Sequence, residues 1–194
     1  MTYRVNEMFY SLQGEGFYTG RAAVFVRMSG CNLRCAFCDT DFAQYKEMTS
    51  AEIVAAACTL VPQAAGMLVV LTGGEPSLQV DEALTDSLHR AGFEVAIETN
   101  GTRPLPAGID WVTCSPKEGA ALRIDRADEL KVVYTGQDVE AIYKVIDARH
   151  HWLQPCGYAD AERTRDSIAR TVDYIRAHPH WRLSLQTHKL AGFR

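Results

Sequence analysis

Residues 30–40 read Gly30-Cys31-Asn32-Leu33-Arg34-Cys35-Ala36-Phe37-Cys38-Asp39-Thr40, with three residues between the first two cysteines and two between the second pair. Three thiolates confined to one short loop suit a soft metal. A structural zinc site closes its tetrahedron with four protein ligands, and no second CxxC or HxxxH follows at zinc-finger distance. Cys58, Cys114 and Cys156 are too scattered to supply the fourth. Three ligands on a cubane of four irons leave one iron open to the nitrogen and oxygen donors of a small molecule, which is a catalytic arrangement. A structural zinc loop and chance spacing are the competing readings. An aromatic residue directly before the last cysteine makes the pattern more specific than a lone CxxC.

The totals agree with an enzyme of small molecules. At 194 residues the chain suits one domain, 1–194, able to bury roughly 70% of the surface of its unfolded form. A net charge of −4 argues against a broad basic face for nucleic acid. The opening Met1-Thr2-Tyr3-Arg4 does not read as a signal peptide, and no apolar run approaches the roughly 18 residues of a membrane span. The expected compartment is the cytoplasm, where thiols stay reduced.

Along the chain, residues 5–10 alternate loosely and meet Ser11-Leu12-Gln13-Gly14-Glu15-Gly16. Those glycines suit either a hairpin turn or close approach of backbone to a ligand. The apolar run 22–28 reads as a buried strand carrying Arg27 near its end, as a structural ion pair or as a fork for a carboxylate. Thr49-Ser50-Ala51-Glu52 is a capping box, and the helical spacing of Ile53, Val54, Ala57, Cys58 and Val61 places Cys58 on the core face. Residues 67–71 form an apolar strand ending in Thr72-Gly73-Gly74-Glu75-Pro76, where two glycines and a carboxylate suit a ligand with an ammonium group, or a plain turn.

A helix through Leu84, Leu88 and Ala91 stops at Gly92, and strands follow over 95–98, 109–113 and 130–134. Residues 139–146 read as a helix and 152–155 as a strand end. Ile168, Val172 and Ile175 mark a later helix, and 183–186 close on Thr187-His188-Lys189. Strands alternating with helices predict an α/β fold with a parallel sheet. About six such units fall short of a closed eight-fold barrel, so an open partial (β/α)6-type barrel is expected. Its polar residues gather at the carboxyl ends of strands, the active-site face of such barrels.

The three-cysteine spacing with Phe37 resembles the radical S-adenosylmethionine (SAM) enzymes. Adding Leu12-Gln13-Gly14-Glu15-Gly16, Arg27, Cys38-Asp39-Thr40 and Gln186-Thr187-His188-Lys189, the whole chain is similar to the 7-carboxy-7-deazaguanine synthases of queuosine and deazapurine biosynthesis. Members of that family convert 6-carboxy-5,6,7,8-tetrahydropterin to 7-carboxy-7-deazaguanine with loss of ammonia.

The resemblance implies a set of roles. Cys31, Cys35 and Cys38 would hold a 4Fe-4S cluster, and reductive cleavage of SAM there would start the reaction with a 5′-deoxyadenosyl radical. Phe37, Cys38, Asp39, Gly74, Ser115, Pro116, Lys117, Gln154, Pro155, Cys156 and Gly157 would line SAM, with Glu75 as a partner for its ammonium. Leu12, Gln13, Gly14 and Thr72 would touch the pterin, Arg27 would take its carboxylate, and the last residue, Arg194, would also reach it. Thr40 would ligate Mg2+. No side chain is assigned as catalytic in itself. Cys114 and Cys156 read otherwise as small buried apolar residues, and His188 as a substrate partner or a structural histidine. A flavodoxin-type or other electron donor is implied, with a homodimer as one possible assembly. The rival reading within the enzyme class is an activating enzyme that makes a glycyl radical on a partner protein. A small electron carrier or a zinc-bound module has little use for glycine-rich strand ends aimed at one face.

Overall fold

The computed structural model describes residues 1–38 and 43–194. The elements are β1 (Tyr3–Leu12), β2 (Ala22–Met28), β3 (Lys46–Met48), α1 (Ser50–Leu60), β4 (Leu68–Gly73), a 3-10 turn (Pro76–Leu78), α2 (Glu82–Arg90), β5 (Glu94–Thr99), β6 (Trp111–Cys114), β7 (Arg126–Tyr134), α3 (Val139–Tyr143), β8 (Asp147–Pro155), α4 (Ala161–Ala177), β9 (Arg182–Leu183) and α5 (Thr187–Ala191). Nine strands form one sheet in the order β3-β1-β2-β4-β5-β6-β7-β8-β9. From β2 to β9 every pairing is parallel, while β1 joins as an antiparallel neighbour of both β2 and β3.

The alternation of strand and helix is interrupted in two places, where the sequence likewise reads one strand after another. The connections 100–110 and 115–125 carry no helix. Pro104, Pro106 and Gly108 in the first, and Pro116 and Gly119 in the second, remove donors and backbone rigidity that a helix needs. The helix read over 139–146 is also shorter: after Tyr143 the Val145 and Ile146 amides both bond to the Ile142 carbonyl, and the chain runs directly into β8.

Period two sorts the strand residues. Val69, Leu71, Val95 and Ile97 pack outward against Ile53 and Ala57 of α1 and Leu84 and Leu88 of α2. Leu130, Val132 and Leu153 do the same against Val139, Ile146 and Trp181. On the opposite face Phe9, Phe25, Leu68, Val70, Ala96 and Trp111 form a second cluster. Continuing that alternation toward the carboxyl ends puts Arg27, Thr72, Glu98, Thr113, Lys131 and Gln154 on the same inner face.

The capping box of α1 is formed as expected, Thr49 and Glu52 each accepting from the other's backbone amide. The placement of Cys58 is corrected: it is exposed. The buried stripe of α1 runs through Ile53 and Ala57, flanked by Ala56 and Leu60, and a helix turns about 100° per residue, which carries position 58 off that stripe.

The sheet is curled rather than flat. β1 and β9 are seven strand spacings apart in the order above, which in a flat sheet would part them by roughly 30 Å. Yet Thr187, beyond β9, donates its amide at 3.0 Å and its hydroxyl at 2.8 Å to the carbonyl of Gly14, beyond β1. The Gly16 amide likewise donates to Ser184 Oγ at 3.0 Å. These contacts require the open partial barrel. Toward the amino ends of its strands Phe17, 45% exposed, covers the opening, stacked on Trp111 at 4.8 Å and on His150 at 4.5 Å. Among the described residues no helix is long and apolar enough to cross a membrane.

Candidate active site

At the carboxyl ends of the strands lies a cleft of about 280 Å³. One wall is the cysteine loop. Cys31, Cys35 and Cys38 all line the cleft, none in a disulfide, and Phe37 lines it beside them. The loop is shaped by a turn in which the Cys38 amide donates to the Cys35 carbonyl at 3.1 Å, and the Leu33 amide points at Cys31 Sγ at 3.4 Å. Burial pushes the Cys31 thiol above its ordinary pKa, and that amide works in the opposite direction. Three half-buried or exposed thiols on one wall, one of them already receiving a backbone N–H, fit a group held by three sulfurs. Among the described residues, no three His, Cys, Asp or Glu side chains converge on a single metal ion.

The loop is seated on the strand ends by backbone. The Gly74 amide donates to the Met28 carbonyl at 2.9 Å, and the Glu75 amide to the Gly30 carbonyl at 2.8 Å. Asn32 accepts from Asn100 Nδ2 at 3.1 Å and donates to Thr102 Oγ1 at 2.8 Å. Glu75 serves this seat rather than a ligand, which corrects its sequence-based role as an ammonium partner. Its carboxylate is 1% exposed. Its Oε1 accepts from the Ser77 amide, Ser77 Oγ and Thr99 Oγ1, and its Oε2 from the Asn100 amide. Three donors use up Oε1, and Glu75 is not among the residues that line the cleft.

The same wall continues through Gly74, Ser115 and Lys117, and across the cleft through Gln154, Pro155, Cys156 and Gly157. Lys117 Nζ donates to the carbonyl and the hydroxyl of Ser115, both at 2.7 Å, and burial lowers its pKa. Pro116 is buried between them and does not line the cleft. Asp39 and Thr40 lie outside the described residues. Cys114 is wholly buried in the outer core, its thiol pushed up to about 12 by burial, whereas Cys156 is 3% exposed and borders the cleft.

Leu12, Gln13, Gly14, Arg27, Thr72 and Arg194 also line the cleft. Arg27 makes an ion pair, its Nε 3.4 Å from Glu7 Oε1, and its guanidinium stands 5.4 Å over the Phe9 ring while still facing the cleft. Arg194 bonds the other Glu7 oxygen and stacks on the same ring at 4.6 Å, and its carbonyl accepts from Ser11 Oγ at 2.5 Å. His188 is half-buried and packs on Gly14, where an added Cβ would meet Nδ1 at 2.4 Å, so the glycine makes room for the ring.

Sequence reasoning missed the floor. Lys131 is 3% exposed there and bonds Glu15 and Glu98, and Asn100 and Gln186 line the cleft as well. Burial alone would raise the Glu15 pKa, but the Lys131 ammonium together with hydrogen bonds from Gln186 and Gln154 outweighs it and holds that carboxyl at about 2. Burial alone would lower the Lys131 pKa, and Glu15 and Glu98 reverse that and raise it. The signal was a lysine inside the apolar run Leu130-Lys131-Val132-Val133 and a glutamate closing Val95-Ala96-Ile97-Glu98. A charge on a strand buried on both faces needs a partner.

Known proteins are similar to this chain in sequence and in fold. Residues 25–152 match the family profile of the Radical SAM superfamily. The chain is 56% identical to the 7-carboxy-7-deazaguanine synthase of Bacteroides thetaiotaomicron over 194 residues, covering 100% of both chains. It is 46% identical to the enzyme of that name from Nitratidesulfovibrio vulgaris, covering 99% of each. The crystal structure of QueE from Escherichia coli superposes with a TM-score of 0.76 at 30% identity, over 96% of this chain and 94% of that one.

Proposed function

We propose that this chain, which belongs to the radical SAM superfamily and within it to the 7-carboxy-7-deazaguanine synthases, uses its cleft to convert 6-carboxy-5,6,7,8-tetrahydropterin to 7-carboxy-7-deazaguanine. The observation that carries this reading is that one cleft is lined both by the three cysteines and by Gln13, Gly14, Arg27 and Thr72. Cys31, Cys35 and Cys38 are the residues to hold a 4Fe-4S cluster, and Phe37, Cys38, Asp39, Gly74, Ser115, Lys117, Gln154, Pro155, Cys156 and Gly157 those to hold SAM. Bound together, cluster and SAM supply a 5′-deoxyadenosyl radical.

The chain's own part is to bind and orient. Arg27 offers a guanidinium to the substrate carboxylate while Glu7 steadies it from the side. Leu12, Gln13, Gly14 and Thr72 meet the pterin ring, and Arg194 closes the rim. A water-poor floor strengthens each of these polar contacts. Thr40 is the residue to bind Mg2+, a hard ion suited to one hydroxyl and substrate oxygens. Thr40→Ala is expected to retain the cluster and lose most of the magnesium response of turnover, measured by titrating Mg2+ into metal-stripped enzyme; an unchanged response removes Thr40 from the site. An external one-electron donor and a homodimeric assembly belong to the same reading, as does a cytoplasmic setting.

The test is anaerobic turnover of reconstituted protein with dithionite, SAM, Mg2+ and 6-carboxytetrahydropterin, followed by mass analysis. Formation of both 7-carboxy-7-deazaguanine and 5′-deoxyadenosine is expected. 5′-Deoxyadenosine without the deazaguanine would keep the radical chemistry and reject the substrate.

A further inference from the structure

The floor of the cleft holds a cation and two carboxylates for which no role has yet been given. Lys131 Nζ donates to Glu15 Oε2 at 2.7 Å and to Glu98 Oε2 at 2.9 Å. Each carboxylate spends its other oxygen on an amide: Gln13 Nε2 donates to Glu98 Oε1 at 2.9 Å, and Gln186 Nε2 to Glu15 Oε1 at 2.9 Å. One ammonium on β7 thus joins β5, the loop after β1 and the residue that opens α5. Glu129, two residues before Lys131, accepts from the Phe17 amide at 2.7 Å and from Thr113 Oγ1 at 2.9 Å, so the far end of the same loop is held from the same strand.

Packing alone does not call for this arrangement. Apolar side chains in place of Lys131, Glu15 and Glu98 together would fill the same space without desolvating a charge, and buried ion networks commonly add little stability over such a replacement. What an ammonium adds is direction, because it can hold two carboxylates at a set separation that would otherwise repel. The two carboxylates in turn fix the two glutamines. Gln13 belongs to the wall proposed to meet substrate, and Gln186 precedes His188, which packs on Gly14.

We infer that Lys131 is a positioning residue, whose ammonium ties the 12–16 loop to the start of α5 and holds that wall of the cleft ready before substrate arrives. That the wall serves the pterin rests on the proposed function; the tie itself does not. Preorganisation of this kind lowers the ordering cost of binding, so its loss falls on substrate affinity first.

The experiment uses full-length reconstituted Lys131→Met and compares amide hydrogen exchange with wild type, without substrate. The Glu15 amide, bonded to Gln13 Oε1, and the Thr187 amide, bonded to the Gly14 carbonyl, are the reporters. Both are expected to lose protection by about tenfold or more while β4 and β5 amides keep theirs. In turnover, KM for the pterin should rise by about tenfold with a smaller change in kcat, and 5′-deoxyadenosine released per deazaguanine should increase. Unchanged protection at both amides, or loss at only one, overturns the tie. Should Lys131→Met fail to fold, Gln186→Leu removes the α5 link without stranding a buried charge; it should expose Thr187 and raise KM in the same sense, and unchanged protection there overturns the proposal. If wild type makes no deazaguanine, the substrate assignment fails while the exchange data still decide the tie.

Discussion

Cys35→Ala is expected to give a folded protein that neither assembles the cluster nor cleaves SAM. The thiol lines the cleft, and the turn it sits in is made by backbone, the Cys38 amide on the Cys35 carbonyl at 3.1 Å. Removing Sγ therefore leaves the loop's own hydrogen bonding in place, and apo stability should stay within about 0.5 kcal/mol of wild type. What disappears is one of three thiolates. Two sulfurs do not hold a four-iron group with one iron open, so iron and sulfide content, visible absorbance after reconstitution and 5′-deoxyadenosine formation should all collapse together. Retained SAM cleavage in this variant would sink the cluster assignment.

Gly74→Ala should have the largest effect among changes that touch no ligand-grade atom. A Cβ on Gly74 would lie 2.0 Å from the Gly30 carbonyl oxygen and 2.6 Å from its carbon. Both are backbone atoms, so no rotamer relieves the clash, and the cysteine loop must lift off the end of β4. Overpacking of this kind typically costs about 1–3 kcal/mol, a drop of several degrees in Tm for a chain of this size. The displaced loop also carries Cys31, next to Gly30, so cluster reconstitution should fall even where the fold survives. Gly20→Ala is the matched control, since nothing lies within 4 Å of its added Cβ and its cost is that of its positive φ alone. A Gly74→Ala protein with wild-type melting and full cluster content would show that the loop does not depend on this close approach.

Much of the scaffold was legible in local pattern. The apolar runs at 22–28, 67–71 and 130–134 became β2, β4 and part of β7, and Thr49 with Glu52 capped α1, because strand burial and helix capping act over a few residues. The same locality explains the errors. Cys58 followed an apolar pattern that did not state where the buried stripe of α1 would end. Glu75 looked like a ligand for a cation because its four hydrogen-bond donors come from the turn it caps and from Thr99 and Asn100, which only the pairing of β4 with β5 brings close.

By itself the sequence determined the chemistry on offer: three thiols on one loop, glycines at strand ends, a guanidinium closing a buried strand. These follow from residue type and spacing along a chain that cannot turn otherwise. Tertiary structure alone decided what those groups face. Glu15 and Gln186 are 171 residues apart and share a hydrogen bond because the curl of the sheet returns β9 to the loop after β1. Lys131 is charged in an apolar strand, which signals that partners must exist, but the identity of Glu15 and Glu98 is set by strand order and curvature. Long-range pairing of this kind is settled by which packing satisfies every buried charge at once, and no window of neighbouring residues contains that information.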